Sequence, residues 1–195
     1  MSNKSYKDIP GWFNWENLYD EIVAELDNGS RIVEVGSWMG QSVIYLAQQV
    51  AISKKDIKIN AVDIWDMSYD YEPFHSMFEK AKSLNTDLYG LFTLNLETFN
   101  VSNLVNPLMM NSVTASEEFE KETVDVVFID ANHSYEAVRD DLRAWWPKIK
   151  KGGIMTGHDY FNPPPDGVKQ AVDEFFQLLD LSVQIKEGCW YVRHA

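Results

Sequence analysis

Short apolar runs alternate along the chain with segments whose apolar residues recur at helical spacing. Continuous apolar runs of this length indicate strands that are buried on both faces. Most of these runs end close to a glycine or an acidic residue. The predicted strands are RIVEVG (31–36), IKINAVD (57–63), the stretch 104–112, VDVVFID (124–130) and GGIMTG (152–157).

Helical spacing fills the gaps between these runs, and a hairpin pattern follows them. In the first helical segment, Asn14 is a plausible N-cap. VQIKEGCWYVRH (183–194) predicts two strands around a tight turn at Glu187-Gly188. The predicted helices are 14–26, 41–50, 86–99, 114–122, 134–149 and 167–179.

Strands that alternate with helices predict an α/β fold with a parallel sheet and helices on both faces. We therefore expect a Rossmann-like, doubly wound, seven-stranded sheet, mostly parallel, with a C-terminal antiparallel β-hairpin. Pro107 should place the third strand near an edge or near its own start. Residues 1–195 are expected to form a single domain, in which residues 1–30 are an N-terminal helical cap.

The segment from Ile64 to Phe78 is crowded with aromatic residues and is only partly periodic. We expect a loop or short helices over the site, with residues 64–85 as a lid or substrate region. The aromatic side chains could pack a flat or sugar-like acceptor, or could be ordinary hydrophobic cover; they are Trp65, Tyr69, Tyr71 and Phe74. Near the N-terminus, Trp12, Phe13 and Trp15 could cap a pocket or form a dimer contact.

Composition narrows the class of protein. The 195 residues, 45% of them hydrophobic, suit one globular domain. Cys189 is the only cysteine, so an internal disulfide is excluded and a cytoplasmic location is expected. The sequence shows neither a signal-peptide pattern nor an apolar run long enough to span a membrane.

The net charge of −13 argues against nucleic acid and against an anionic membrane surface as partners. A small neutral or cationic molecule, or one docked through a divalent metal, fits better. A homo-oligomer is compatible with the sequence.

Ionisable side chains follow two of the predicted strands. Asp130, Asn132 and His133 come after VDVVFID, and His158 and Asp159 come after GGIMTG. Ligands of open α/β sheets bind beyond the carboxyl ends of the strands, so these side chains should share one site. Such groups can hold a metal ion or move a proton.

A glycine turn and an acidic residue end the first two strands. In EVGSWMGQS, Gly36 permits a sharp turn and Gly40 permits close packing at the start of the helix. The spacing differs from the Gly-x-Gly-x-x-Gly fingerprint of dinucleotide folds. Asp63, at the end of the second strand, could accept the hydroxyls of a ribose. The alternatives are a plain strand-to-helix turn and a solvated carboxylate or helix cap.

Taken together, EVGxxxGxS, AVD and FID on successive strands resemble class I S-adenosylmethionine-dependent methyltransferases. FIDANHSY, DLRAWWPKIKKGG and GHDY resemble the small-molecule O-methyltransferase group that includes macrocin O-methyltransferase-like proteins, and more distantly catechol O-methyltransferases. The resemblance extends from about Trp12 to the final hairpin. It implies O-methylation of a small hydroxylated molecule, such as a sugar or a phenolic compound.

The resemblance also implies positions for S-adenosylmethionine. Its methionine end would lie near the glycine turn, its ribose at Asp63, and its sulfonium near Asp130. The residues implied as cofactor-binding are Glu34, Gly36, Ser37, Gly40, Ser42, Asp63, Ile64, Asn111, Ser112 and Asp130.

In metal-dependent relatives, the matching positions for a divalent ion are Asp130, His158 and Asp159. His158 stands where many relatives carry Asp. An imidazole ligand favours a transition metal over Mg²⁺, or else the site has lost its metal. Asn132 stands where macrocin-type relatives carry an Asp proposed as the base, and His133 takes the place of the catalytic Lys of catechol-type relatives. We therefore expect His133 as the general base, with Asp130 beside it.

Structural roles remain open for the same residues. Asp130 could cap the following helix, His133 could order its loop through Asp159, and His158 could be a structural hydrogen-bond donor. Two other functions also remain open. One is a catalytically silent protein that binds S-adenosylmethionine or a nucleoside; the other is an NAD-dependent oxidoreductase, which the glycine spacing disfavours.

Overall fold

The structure is a computed structural model that describes residues 4–66, 75–163 and 167–194. Its strands form one seven-stranded sheet. They are β1 (Arg31–Val35), β2 (Lys58–Asp63), β3 (Val105–Met109), β4 (Val124–Ile129), β5 (Ile149–Gly157), β6 (Gln184–Lys186) and β7 (Cys189–Arg193).

Helices connect the strands and cover the sheet. They are α1 (Glu16–Glu25), α2 (Gln41–Ser53), α3 (His75–Ser83), α4 (Leu88–Thr98), α5 (Ser112–Glu117), α6 (Tyr135–Trp145) and α7 (Val168–Leu178). Short 3-10 helices cover Tyr6–Asp8 and Trp146–Lys148. Among the described helices, none combines the length and the apolar character needed to cross a bilayer.

The strand order β3-β2-β1-β4-β5-β7-β6 confirms the predicted fold. The strands from β1 to β5 are parallel, and β7 runs antiparallel between β5 and β6. Strand β3, which carries Pro107, is at an edge as expected. The hairpin turn is also where it was predicted, and Glu187 and Gly188 both have positive φ, 49° and 79°.

Strand order reverses direction at β1, which pairs with β2 on one side and with β4 on the other. This reversal is the switch point at which open α/β sheets leave a crevice beyond their carboxyl ends. The residues that follow β1, β2, β4 and β5 therefore border a single crevice.

Two hydrophobic cores lie on opposite faces of the sheet. One includes Trp15, Phe92 and Phe128, and the other includes Trp145 and Trp190. Trp145 is fully buried in the second of these cores.

Helix α1 differs from its prediction, because it begins at Glu16 with Trp15 as the N-cap residue and without a side-chain cap of its own. A distant carboxylate satisfies this end instead. Glu187 accepts a hydrogen bond from the Leu18 N–H at 3.1 Å and another from the Asn17 side-chain amide.

The other end of α1 is closed by a lysine from the loop after α2. The Lys55 Nζ donates to the carbonyl oxygens of Val23, Ala24 and Leu26 at 2.8, 2.7 and 2.6 Å. Both ends of α1 are therefore satisfied by side chains that are remote in sequence.

The predicted helix 134–149 divides in the structure. Helix α6 ends at Trp145, and a 3-10 turn with Pro147 leads directly into β5 at Ile149, three residues before the predicted start at Gly152. Proline cannot continue an α-helix, because it lacks an N–H and its ring clashes with the preceding turn.

Part of the predicted lid falls outside the described residues, including Tyr69, Tyr71 and Phe74. Within the described part, Trp65 is buried and its ring contacts those of Tyr89 and Phe92 at centroid distances of 5.1 and 4.7 Å. This favours hydrophobic cover as the role of Trp65.

Candidate active site

The first residues after β1, β4 and β5 still form backbone hydrogen bonds with neighbouring strands. These bonds fix where the loops that follow the three strands begin. The Gly36 N–H donates to the Val62 carbonyl at 2.8 Å, and the Asp130 N–H donates to the Val35 carbonyl at 2.8 Å. The His158 N–H donates to the Ile129 carbonyl at 3.2 Å. The loops after β1, β4 and β5 are thereby held side by side.

The glycine turn after β1 is required by the fold itself. Gly36 has φ +91°, and a Cβ added to it would lie 1.9 Å from the Asp130 carbonyl oxygen. Gly40, the N-cap residue of α2, has φ +86°, and its Cβ would meet the Phe92 ring at 3.0 Å. Close packing of backbone thus explains both glycines before any ligand is considered.

Glu34, near the end of β1, is 1% exposed and lies in a polar network inside the protein. Its carboxylate accepts hydrogen bonds from the Tyr19 hydroxyl at 2.5 Å and the Ser42 hydroxyl at 2.8 Å. Burial raises the pKa of Glu34 to about 7, against the lowering effect of these hydrogen bonds. The buried Ser37 hydroxyl donates to the Glu34 carbonyl at 3.4 Å.

Asp63 joins the loops that follow β1 and β2. Its two carboxylate oxygens accept backbone N–H groups of Trp38 and Trp65, each at 2.8 Å. Both tryptophans have φ +45°, a left-handed conformation that is uncommon for bulky residues. Burial raises the pKa of Asp63, and the backbone hydrogen bonds oppose that change. Each oxygen can still accept a further hydrogen bond.

Exposed apolar side chains lie near the ends of β2 and β3. Ile64 is 55% exposed and Met109 is 57% exposed, and Val113 on α5 is also exposed. The Asn111 side chain caps α5 by accepting the Val113 N–H at 3.0 Å. The Ser112 hydroxyl accepts the Trp145 Nε1–H at 3.0 Å. The side chains of Asn111 and Ser112 therefore hold the start of α5 in place.

The Asp and His residues after β4 and β5 form one cluster. His133 Nε2 lies 3.0 Å from Asp159 Oδ2 and 3.7 Å from Asp130 Oδ1. His158 Nδ1 lies 3.1 Å from the other oxygen of Asp159, Oδ1. The sequence prediction that these four side chains share one edge agrees with this geometry.

Charges in the cluster shift its pKa values strongly. Hydrogen bonds to Asp130 and Asp159 raise the pKa of His133 to about 10, despite burial. Burial raises the pKa of Asp130. Burial acts in the same direction on Asp159, but hydrogen bonds from His133 and His158 outweigh it and hold the pKa of Asp159 well below its usual range. His133 is therefore charged at neutral pH in this arrangement.

Ser134, not Asp130, is the N-cap residue of helix α6. The Asn132 side chain accepts the Ser134 N–H at 2.9 Å, and the Ser134 hydroxyl accepts the Ala137 N–H at 3.4 Å. The carboxylate of Asp130 is thus left facing His133.

Among the described residues, the group whose donor atoms could surround one ion consists of Asp130, His133 and Asp159. These atoms all lie within 4.8 Å of one another. The set predicted from sequence contained His158 in place of His133. In the structure the imidazole of His158 instead packs at a tilt against Trp15, with ring centroids 4.6 Å apart.

The sequence analysis left open whether the aromatic residues of the N-terminal segment cap a pocket or form a dimer contact. Trp15 packs against His158, and Tyr19 binds Glu34. The aromatic run around Trp12 and Trp15 was the available signal, but spacing alone could not connect it with strand ends more than a hundred residues away.

Known proteins resemble this chain in sequence. The model of a family described as a methyltransferase domain matches residues 33–160. A curated relative, the uncharacterized protein y4gI of Sinorhizobium fredii, is 25% identical over 131 residues, which are 66% of this chain. The matched region spans only 13% of the length of that relative.

Solved structures share the fold over most of the chain. The O-methyltransferase NovP is 19% identical with a TM-score of 0.67, over 92% of this chain and 79% of NovP. CalS11, a TDP-rhamnose 3'-O-methyltransferase of calicheamicin biosynthesis, is 14% identical with a TM-score of 0.62, over 91% of this chain and 76% of CalS11.

A Staphylococcus aureus protein provisionally named as a caffeoyl-CoA O-methyltransferase is 16% identical with a TM-score of 0.67. The alignment covers 99% of this chain and 93% of that protein. At these identities, the likeness to all three structures establishes the fold.

Proposed function

We propose that this chain, which belongs to the methyltransferase domain family, transfers a methyl group from S-adenosylmethionine to a hydroxyl oxygen of a small molecule. One observation carries the proposal. Asp63, the glycine turn at Gly36 and the cluster of Asp130, His133 and Asp159 border the same crevice at the switch point of the sheet. We call Asp63 and the glycine turn the nucleoside side, and Asp130, His133 and Asp159 with the neighbouring His158 the reactive side or reactive cluster. The two sides are adjacent in this crevice.

The residues of the nucleoside side fit S-adenosylmethionine. The two Asp63 oxygens keep acceptor capacity for ribose hydroxyls. The exposed Ile64 and Met109 offer apolar surface suited to an adenine ring. When bound, the cofactor supplies an electrophilic methyl group on a positively charged sulfur. We assign the sulfonium to the neighbourhood of Asp130, whose carboxylate would favour a positive charge.

The reactive side fits a divalent metal by its donor chemistry. One imidazole and two carboxylates, from His133, Asp130 and Asp159, match Mn²⁺ or another transition metal better than Mg²⁺. A metal ion at this group would supply Lewis acidity that lowers the pKa of an acceptor hydroxyl. His158 lies outside this group but contacts Asp159, and its Nδ1 would orient the Asp159 carboxylate.

Without a metal ion, His133 is our candidate for the group that accepts the hydroxyl proton; a metal ion bound through its imidazole would exclude this role, and the Lewis acidity of the ion would then assist loss of the proton. Between two carboxylates the pKa of His133 is about 10, so in the metal-free protein the neutral form required of a base becomes populated only as pH rises. We therefore expect metal-free turnover to increase with pH through the range from 7 to 10. A flat profile would assign proton removal to another group.

The net charge and two of the structural neighbours support one class of acceptor. A net charge of −13 disfavours nucleic acid, and the structural neighbours include a sugar O-methyltransferase and one provisionally named for a phenolic thioester. We propose a sugar or phenolic hydroxyl as the acceptor.

Calorimetry with S-adenosylhomocysteine tests the cofactor. We expect saturable binding to the wild-type chain and at least about tenfold weaker binding to Asp63→Ala, because two hydrogen-bond acceptors for the ribose are lost. The Asp66→Ala variant, altered in the same loop three residues on, is the matched control. Absence of binding at millimolar ligand would reject the proposal.

Transfer of a labelled methyl group to a panel of sugars and phenols tests the chemistry. The His133→Ala variant should lose about two orders of magnitude in rate without weaker binding of S-adenosylhomocysteine. Turnover should fall in chelator and recover with Mn²⁺. If His133→Ala is as active as the wild type, His133 has no role in the reaction. If the turnover rate changes with neither chelator nor Mn²⁺, the proposed metal is rejected.

A protein that binds the cofactor without catalysis is a second candidate. Two features favour it: the Asp130 and Asp159 carboxylates raise the pKa of His133 to about 10, and the Asn132 side chain, which cannot act as a base, accepts the Ser134 N–H. It predicts normal binding of S-adenosylhomocysteine with no methyl transfer to any acceptor in the panel.

A further inference from the structure

The side chain of Trp15 lies between a core strand and the reactive cluster. It is 2% exposed, and its indole stacks on the Phe128 ring of β4 with centroids 4.9 Å apart and an interplanar angle of 18°. The imidazole of His158 packs against the same indole at 4.6 Å with an angle of 35°. A methyltransferase family model that begins at residue 33 does not include Trp15.

The imidazole of His158, which packs against Trp15, also contacts the carboxylate of Asp159. Its Nδ1 is 3.1 Å from Asp159 Oδ1, an oxygen that also accepts the Asn162 amide at 2.8 Å. The other oxygen of Asp159 is 3.0 Å from His133 Nε2. Asp159 has φ +59°, an uncommon conformation for a non-glycine residue, so its side-chain contacts help to fix where the carboxylate points.

Trp15 is itself held from two sides. The Phe13 ring meets it edge-on at 5.0 Å, and the Phe13 N–H is anchored on the Gln41 side chain at the start of α2. The Trp15 carbonyl accepts the Tyr19 N–H at 3.3 Å. The N-terminal segment therefore crosses from α2 to the ends of β4 and β5, and Trp15 is its contact with the reactive cluster.

We propose that Trp15 is a positioning residue of the methyl-transfer site, which holds the His158 ring so that Asp159 faces His133. The inference builds on the proposed function. A tryptophan that only filled the core would contribute stability but would not affect the geometry around His133.

The test uses the full chain with Trp15→Leu, which removes the ring, and Trp15→Phe, which keeps an aromatic face. The matched control is Trp146→Leu, because the Trp146 ring packs at a tilt against that of His194 at the same centroid distance of 4.6 Å. With four histidines in the chain, the ring ¹H–¹³C resonances of each can be assigned by substitution.

We expect Trp15→Leu to move the resonances of both His158 and His133 and to lower Mn²⁺ affinity about tenfold, as loss of an outer-shell partner does. Trp15→Phe should remain close to wild type, and Trp146→Leu should move His194 alone. Binding of S-adenosylhomocysteine should be unchanged in all three variants.

A folded Trp15→Leu protein with a wild-type His133 resonance would overturn the proposal. If that variant does not fold, Trp15→Met, whose flexible side chain can adapt to the shape of the space, takes its place under the same criterion. Failure of the wild-type chain to bind S-adenosylhomocysteine would reject the proposed function instead, and failure to bind Mn²⁺ would reject its metal. The His133 resonance still decides the role of Trp15 in both cases.

Discussion

Gly36 and Gly29 share a left-handed backbone but differ in their surroundings. Their φ angles are +91° and +84°, yet a Cβ would meet the Asp130 carbonyl at Gly36 and nothing within 4 Å at Gly29. We expect Gly29→Ala to cost about 1–2 kcal/mol from backbone strain alone. Gly36→Ala should cost about 3 kcal/mol or more, because overpacking adds to that strain.

Urea unfolding of the two glycine variants measures this difference. Equal losses of unfolding free energy would mean that the loop after β1 can move away from Asp130, contrary to the close packing described above.

Glu34 should make stability depend on pH. Its pKa rises from 4.5 to about 7 on folding, so the native state binds the proton more tightly. The stability that this group contributes is complete below about pH 4.5 and is lost as pH rises to about 7, a change on the order of 3 kcal/mol.

The Glu34→Gln variant removes this titration while its amide oxygen can still accept a hydrogen bond from Tyr19. We therefore expect its unfolding free energy, relative to wild type, to be more favourable at pH 8 than at pH 5. Thermal unfolding at the two pH values measures the difference, and the same difference at both would contradict the raised pKa.

At the scale of elements, α1 depends on side chains that come from elsewhere. Glu187→Ala removes the acceptor for the Leu18 N–H and should cost about 1 kcal/mol, the usual loss for an N-cap. Glu21→Ala is the control, since it breaks only the exposed ion pair with Lys186 and should cost about 0.5 kcal/mol or less. Hydrogen exchange should rise in the first turn of α1 for Glu187→Ala but not for the control.

The C-terminal end of α1 gives a parallel expectation. Lys55→Met removes the donor to three carbonyls, those of Val23, Ala24 and Leu26, and should cost about 1–3 kcal/mol. Its neighbour Lys54 is exposed, so Lys54→Met controls for the loss of a positive charge. Similar denaturation midpoints for the two variants would show that the carbonyls are satisfied equally well by water.

At the scale of the whole molecule, the net charge of −13 implies self-repulsion of the compact state at neutral pH. Added salt screens that repulsion, so the melting temperature at pH 7 should rise between about 10 mM and about 150 mM NaCl. Close to the sequence pI of about 4.6, the same salt step should have little effect. A salt effect of equal size at both pH values would mean that local ion pairs dominate.

Most of the fold could be predicted from sequence because strands buried on both faces must be apolar, and their polar ends are visible as Asp63 and Asp130. The methyltransferase resemblance read from these strand ends is confirmed by the family model that matches residues 33–160. The parallel arrangement of β1 to β5 followed from the alternation of strands with helices, and the final hairpin from Glu187-Gly188.

Ring orientation was beyond sequence reasoning. His133, not His158, groups with Asp130 and Asp159, while His158 packs against Trp15. No local pattern encodes this contact between the N-terminal segment and the residue that follows β5. The burial of Glu34 against Tyr19 has the same origin in tertiary packing.

The N-terminal end of α1 is hydrogen-bonded by a carboxylate that is remote in sequence, which has a consequence for synthesis on the ribosome. Glu187 lies 169 positions after Leu18, so translation at about 5–20 residues per second leaves α1 without its cap for on the order of ten seconds or longer. During that interval the apolar face of α1, including Tyr19 and Ile22, has only part of its final partners. Helix α1 is thus translated long before its N-terminal end is secured, and a nascent chain arrested before Glu187 should present α1 to chaperones or proteases.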